Sequence, residues 1–327
     1  HEKVVSELAS CDIAAVSVGQ GGLPGAAELI AAGIAERFRT GAGPLDIILA
    51  ENMRNAAGYL RGLLSGILGA GFPLERTAGL IETSIGKMVP IMPAAMQAGN
   101  PLTVYAEPYN TLILDRKGFL NPIPDVSGLA PKDNISAWVD RKSYIHNFGH
   151  AAAAYAGYCL HPELIYIWEV LEFPEIREFT RAAMMQSVAV LMNKYPAEFT
   201  ETALSEHIDD LIYRFRNRAL GDTVFRVGCD LTRKLSRNDR ILSPLLDGIR
   251  AGLPVDMIAR VFVYGLGFGA RDESGNMLPA DSAFMERLRN DGVQNVIQHV
   301  CALIPGRDDK AIEVIVQKVK QTLKLTL

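Results

Sequence analysis

The first third of the chain alternates short apolar runs with segments of helical period. "CDIAAVSVG" reads as a buried strand, because its apolar residues run unbroken into a glycine turn. "GAAELIAAGIAERF" follows, with apolar positions recurring every three or four residues, the stripe of an amphipathic helix. "LDIILAEN" repeats the strand pattern and "RNAAGYLRGLLSGIL" the helical one. Such alternation predicts a parallel sheet covered by helices. Two more β segments, "TSIGKMVPIM" and "LTVYAEPYNTLILD", precede a Pro/Gly/Asn-rich connector, "NPIPDVSGLAPKDN". From Ile135 onward the period is helical almost to the end, as in "IREFTRAAMMQSVAVLMNKY". The pattern therefore predicts an α/β domain over residues 1–134 and an all-α domain over 135–327. The first of these reads as a doubly wound parallel sheet that is N-terminally incomplete, since few strand–helix units precede the later strands.

Composition narrows the class. The 327 residues are 49% hydrophobic and 21% charged, the balance of a globular protein with substantial cores. A net charge of −4 argues against nucleic acid and acidic membranes as partners. No apolar run approaches the ~20 residues needed to cross a bilayer. The cysteines (Cys11, Cys159, Cys229, Cys301) are far apart and form no CxxC pair, which suits thiols in a reducing, cytoplasmic setting. No HExxH motif is present, and His161 and His207 lack ligand neighbours at metal spacing, so no metal is expected. His299 lies in an apolar helix and reads as core.

Two stretches carry candidate chemistry. "VSVGQGGLPGAAEL" follows a strand and opens a helix, so its backbone amides could approach a ligand. Pro24 occupies the third glycine position of GxGxxG, and a loop chosen only for tight turning fits the residues equally well. If a dinucleotide crosses the sheet, Val18 and Gly19 are its expected lining. The second stretch is "DRKSYIHNFGHAAAAY". Asp133 or Asn134 can cap a helix running through Ala154. At about 100° per residue, Lys142 and His146 fall on the apolar stripe that starts at Ile135, with His150 about 60° away and Asn147 on its shoulder. A lysine pressed into an apolar face loses basicity and becomes a credible general base. Neutral donors beside it would stabilise charge on a reacting oxygen, as oxidation of a secondary alcohol requires. Against this stands a lysine snorkelling at a domain edge beside histidines satisfied by backbone carbonyls.

Lys142, Asn147 and His150 match the K-x4-N-x2-H signature of the polyol-specific long-chain dehydrogenase family, which the chain resembles over nearly its whole length. "LDIILAENM" resembles that family's strand ending in an acidic residue and asparagine, and "RFRNRALGDTVFRVGCDLTRKLSRNDRILSPL" resembles its sugar-phosphate branch. The resemblance implies a metal-independent, NAD-linked dehydrogenase, monomeric or homodimeric, with its site between a Rossmann domain and a helical domain. Lys142 then corresponds to the acid/base, Asn147 and Asn52 to amides holding the reacting oxygen, and His150 to a substrate partner. Val18, Gly19, Glu51 and Asn52 are the expected cofactor-side residues. The resemblance covers the Rossmann domain only from partway through, so the family's first strand and GxGxxG turn have no counterpart. Gly86 and Lys87 replace the family's aspartate and arginine, and Phe148 and His146 fill positions where smaller or apolar residues are common.

Between Arg214 and Arg240 stand eight basic and three acidic residues. Arg233, Lys234, Arg237 and Arg240 form a candidate phosphate clamp, because a sugar phosphate needs several convergent cations. A solvated charged loop is the commoner use of such a run. With the resemblance, the clamp points to interconversion of mannitol 1-phosphate and fructose 6-phosphate. An unphosphorylated polyol or hexuronate as substrate stays open, as does an impaired homologue that binds without turnover.

Overall fold

In the computed structural model, which describes residues 1–90, 97 and 99–323, the alternation of the first third becomes a layered unit. Its elements are α1 (Glu2–Ser10), β1 (Ile13–Val16), α2 (Leu23–Thr40), β2 (Leu45–Leu49), α3 (Ala56–Leu68), α4 (Leu74–Thr77) and β3 (Ala78–Ile85). β2 runs between β1 and β3 and parallel to both, with Ile47 opposite Ala14 and Leu80. β4 (Leu112–Asp115) then pairs antiparallel with β3, and β5 (Leu129–Lys132) runs parallel to β4. The sheet order is β1-β2-β3-β4-β5, parallel-dominated but mixed.

The strands differ from the sequence pattern at specific points. β3 starts before "TSI" and ends at Ile85; Gly86–Pro90 continue without strand structure, and Ile91 and Met92 lie outside the described residues. Of "LTVYAEPYNTLILD" only Leu112–Asp115 is strand. Val104 and Tyr105, which alternate like strand residues, are largely exposed, and Pro108 supplies no ladder donor. β5 lies inside the connector that read as loop. It contains Pro131, which an edge strand tolerates because one side of its ladder is unpaired.

The first core joins the sheet to α2 and α3 through Leu23, Ile34, Leu45, Ile47, Leu49, Leu60 and Leu64, none with any exposure. Two buried polar groups clasp its loops. Arg37, near the end of α2, donates to the carbonyls of Leu8, Cys11, Gly43 and Pro44 at 2.6–3.2 Å. Asp46 accepts from the backbone of Leu120 (2.9 Å) and Asn121 (3.1 Å), tying the chain after β4 to β2. Gly79 has to be glycine beside it, since a Cβ there would overlap the Asp46 carboxylate.

The chain divides into two units, His1–Lys87 with Glu107–Val139, and Met88–Ala106 with Asp140–Leu327. α5 (Ile135–Arg141) leads into the second, which is helical: α6 (Phe148–Leu160), α7 (Ile167–Val170), α8 (Pro174–Lys194), α9 (Glu201–Phe215), α10 (Val224–Gly228), α11 (Leu231–Lys234), α12 (Leu242–Arg250), α13 (Asp256–Leu266), α14 (Pro279–His299, broken at Gly292) and α15 (Asp309–Leu323). α6 is its central strut, buried from Phe148 to Gly157 except at half-buried His150. Its alanines and glycines let α7, α8, α10 and α13 approach closely: a Cβ on Gly149 would strike Met184 of α8, and one on Gly157 would strike Val170 of α7. Among the described residues, no helix is long and apolar enough to cross a membrane.

Candidate functional site

The sequence spacing predicts one α-helix through Ala154. The backbone instead passes from α5 into a π-helical stretch, Lys142–Asn147, before α6. A π turn bonds residue i to i+5 and so carries one extra residue. The consequence falls on the K-x4-N-x2-H spacing. On an unbroken α-helix Asn147 would stand about 140° from Lys142. Through the π turn, residues five apart come one above the other, and His150 follows three residues later on the next turn of α6. All three side chains are thereby brought to one side of the helix.

The surroundings set their ionisation. Lys142 is half-buried, and burial, reinforced by the charge of Arg240, lowers its pKa to about 8. Both the amine and the ammonium are then accessible near neutrality. His150 is drawn down to about 3, first by burial and then by Arg226, Lys234 and Arg240, so it is a neutral imidazole. Its ring stacks on Phe215 at 4.5 Å and 5°. Its Nε2 lies 3.3 Å from Oδ2 of buried Asp222, short of full hydrogen-bond alignment, and Asp222 also pairs with Arg226. A carboxylate on that side favours the proton on Nε2 and leaves Nδ1 as an acceptor. His146 is buried, lies against the same Phe215 at 5.5 Å, and is held well below the ordinary histidine range by burial and by the neighbouring His150 and Lys142.

The four basic residues proposed as a clamp part company. Arg233 is engaged by Asp230 (2.5 Å) and Asp239 (3.2 Å). Arg237 is gripped by both oxygens of Asp308, which its hydrogen bonds pull down to about 2. These two arginines serve local carboxylates. Lys234 is buried, donates to the Val227 carbonyl at 2.7 Å, and is lowered to about 8 by burial and then Arg240. Arg240 pairs with Asp239 at 2.7 Å and is the charge felt in common by Lys142, His150 and Lys234. Of the four, Arg240 therefore acts on the candidate base and on His150, while Lys234 acts on His150 alone.

The remaining candidates belong to the sheet unit, at the carboxyl ends of β1 and β2. The turn after β1 is shaped by Glu51, whose buried Oε1 accepts from Val18 N (2.8 Å) and Gly19 N (3.1 Å). Gly19 has φ +73°, a conformation that side chains resist, and Val18 stands 51% exposed at the rim. Asn52 follows Glu51 in an exposed position. The loop beyond it is fastened by Glu82, which accepts from Asn55 N at 2.8 Å and whose pKa burial raises. Glu82, Phe215 and Asp222 support the candidate residues but gave no pattern in sequence, because each acts on a partner distant along the chain. Lys87 donates to Asn110 at 3.2 Å, and Gly86, the residue after β3, brings no side chain.

Family models match both parts. The model of the mannitol dehydrogenase C-terminal domain covers residues 134–324, and that of the mannitol dehydrogenase Rossmann domain covers residues 1–128. The chain belongs to the mannitol dehydrogenase family. Members of this family are dehydrogenases acting on CH–OH groups. Solved structures share the family fold. Pseudomonas fluorescens mannitol 2-dehydrogenase, solved as a ternary complex with NAD and D-mannitol, is 16% identical, with a TM-score of 0.75 over 98% of this chain and 74% of that one. A D-sorbitol dehydrogenase in substrate-free form is 17% identical, with a TM-score of 0.77 over 98% and 75% of the two chains. At these identities the likeness speaks for the fold. Among the described residues, no group of three or more His, Cys, Asp or Glu is placed to hold a metal ion.

Proposed function

We propose that this chain is an NAD-linked dehydrogenase interconverting a secondary alcohol of a polyol and the corresponding ketose, with Lys142 as the general acid/base. The observation that carries the reading is the π turn, which sets a half-buried lysine with a pKa of about 8 on the same side as a carboxamide and a neutral imidazole. In oxidation the neutral Lys142 Nζ accepts the hydroxyl proton. Asn147 donates an amide hydrogen to the reacting oxygen and stabilises the charge that develops there. His150 accepts from a neighbouring substrate hydroxyl through Nδ1. In reduction the Lys142 ammonium returns the proton, and a pKa near the working pH serves both directions. Asn52 is the second amide that the family likeness assigns to the reacting oxygen.

NAD, when bound, supplies the hydride acceptor. The residues of the sheet unit fit it: ligands of such sheets lie outside the carboxyl ends of the strands, where the turn after β1 and the end of β2 present Val18, Gly19 and Asn52. A Cβ at Gly19, Gly21 or Gly25 would meet nothing within 4 Å, so the turn is open rather than filled. The Val18 and Gly19 amides, however, already serve Glu51. They are thus assigned to holding the turn, and the contact falls to the exposed Val18 side chain and the Gly19 backbone surface.

The site supports a free polyol ahead of a sugar phosphate, because Arg233 and Arg237 are neutralised by Asp230, Asp239 and Asp308. The solved relatives named above likewise act on unphosphorylated sugar alcohols. A specific observation keeps mannitol 1-phosphate as the second reading: the charge of Arg240 reaches both Lys142 and His150, and that of Lys234 reaches His150. The deciding experiment follows NADH absorbance with D-mannitol, D-sorbitol, a hexuronate and mannitol 1-phosphate. Turnover of a free polyol sustains the first reading, and a tenfold or greater preference in kcat/KM for the phosphate replaces it with the second. No turnover of any of them, with NAD binding retained, would mark an impaired homologue, consistent with Gly86 and Lys87. Lys142→Ala is expected to lower kcat by about two orders of magnitude or more, and a chelator to leave it unchanged.

A further inference from the structure

We propose that Lys194 is a positioning residue for Lys142, acting as the clamp that holds the π turn closed. Asp140 lies two residues before Lys142 and Tyr144 two residues after it, and α8 brings Lys194 to both. Lys194 Nζ is 2.9 Å from Asp140 Oδ2, 2.8 Å from Asp247 Oδ2 and 3.3 Å from the Tyr144 hydroxyl. The Tyr144 hydroxyl donates to Asp247 (2.5 Å) and lies 3.0 Å from Ser243 Oγ on α12. Tyr195 donates to Asp140 at 2.8 Å. Residues on both sides of Lys142 are thus fastened to one ammonium. At about 100° per residue, Asp140 and Tyr144 share a face and Lys142 leaves from roughly the opposite one. The clamp grips the back of the helix while the amine projects from its front.

A π turn needs such a grip. It is rare, and the α register competes with it for the same carbonyls. Reverting to α register would rotate Asn147 away from Lys142. The cluster is charge-balanced, with Lys194 and Arg250 against Asp140 and Asp247. Burial disfavours the Lys194 charge, but hydrogen bonds to Asp247 and Asp140 outweigh it and keep the group protonated. Removing that ammonium leaves Asp140, buried, and Asp247, largely buried, facing each other across Tyr144. Their repulsion opens the turn and admits water to the Lys142 side.

The proposal rests on Lys142 being the base only for its catalytic meaning, so its test reads Lys142 directly. In the full chain, trace acylation followed by peptide mass spectrometry gives the pKa of Lys142 from the pH dependence of its labelling. The lowered value is expected in the wild type and in Lys194→Arg, and a return towards the ordinary lysine range in Lys194→Met. Tyr195→Phe, which removes one hydroxyl, serves as a gentler variant should Lys194→Met fail to fold, and is expected to shift the value in the same direction. Where turnover is measurable, Lys194→Met should lose up to about a hundredfold in kcat, the scale of an ångström-sized misplacement, with KM for NAD unchanged. An unchanged Lys142 labelling profile in Lys194→Met, or in Tyr195→Phe should the former not fold, overturns the clamp. Normal turnover in Lys142→Ala would instead remove the base assignment and leave the labelling result standing.

Discussion

Replacing Arg240 by glutamine gives the most direct reading of the candidate base. The Lys142 pKa is about 8 because the amine is buried and because Arg240 opposes its protonation. Glutamine keeps most of the bulk and removes the charge, leaving burial as the remaining cause. A neighbouring like charge that acts over about 12 Å at an effective dielectric near 20 is worth about 1.4 kcal/mol, or about one pKa unit, and that magnitude is taken for Arg240. The Lys142 pKa is therefore expected to rise to about 9. At pH 7 the neutral fraction would fall from about 9% to about 1%, and polyol oxidation at saturating substrate would fall about tenfold with it. At pH 10 most of the amine is neutral in both proteins, so the deficit should nearly vanish. The assay is the pH profile of kcat for NADH formation, wild type against Arg240→Gln, with KM recorded at each pH because Arg240 is also a candidate substrate contact. A loss of kcat equal at every pH would show that Arg240 does not act through the ionisation of Lys142. A profile with no acid limb near pH 8 in the wild type would refute the lysine mechanism itself.

Other expectations follow from the same structure. Arg237→Ala should lower unfolding free energy by about 3 kcal/mol, because it leaves the buried Asp308 carboxylate with only Ile304 N and the exposed Arg307 as partners, while leaving KM for any sugar phosphate unchanged. Denaturant titration and initial rates check the two halves, and a raised KM would restore Arg237 to the substrate site. Arg37→Met removes the donor shared by four loop carbonyls and should cost about 3 kcal/mol in the same titration. Glu51→Ala frees the turn after β1 and should raise KM for NAD about tenfold, the equivalent of about 1.4 kcal/mol of lost ordering, whereas Glu51→Gln keeps an acceptor and stays near wild type. Lys234 has its pKa lowered from 10.5 to about 8, so the unfolded chain binds the extra proton between those values. Its contribution to stability rises with pH across that window and is most unfavourable below about 8. Unfolding free energy of wild type relative to Lys234→Met should accordingly shift in favour of wild type from pH 8 to 10.5.

The strand–helix alternation from Ile13 to Leu68 and the helical run after Ile135 were legible in the sequence, because burial of one face imposes a period that local order alone displays. The positions of Lys142, Asn147 and His150 on one helix were legible for the same reason, together with the family signature. β5 was not, since Pro131 and its neighbours form a strand only where β4 offers them a partner. Nor was the π turn: its extra residue is stabilised by α8 and α12, far along the chain, and no local spacing reports it. The separation of Arg237 from Lys234 and Arg240 was likewise decided by which carboxylates tertiary packing brings to each. Sequence settles which side chains are available and which periodic face they occupy. Burial and charged neighbours, which settle what those side chains do, exist only once distant segments pack.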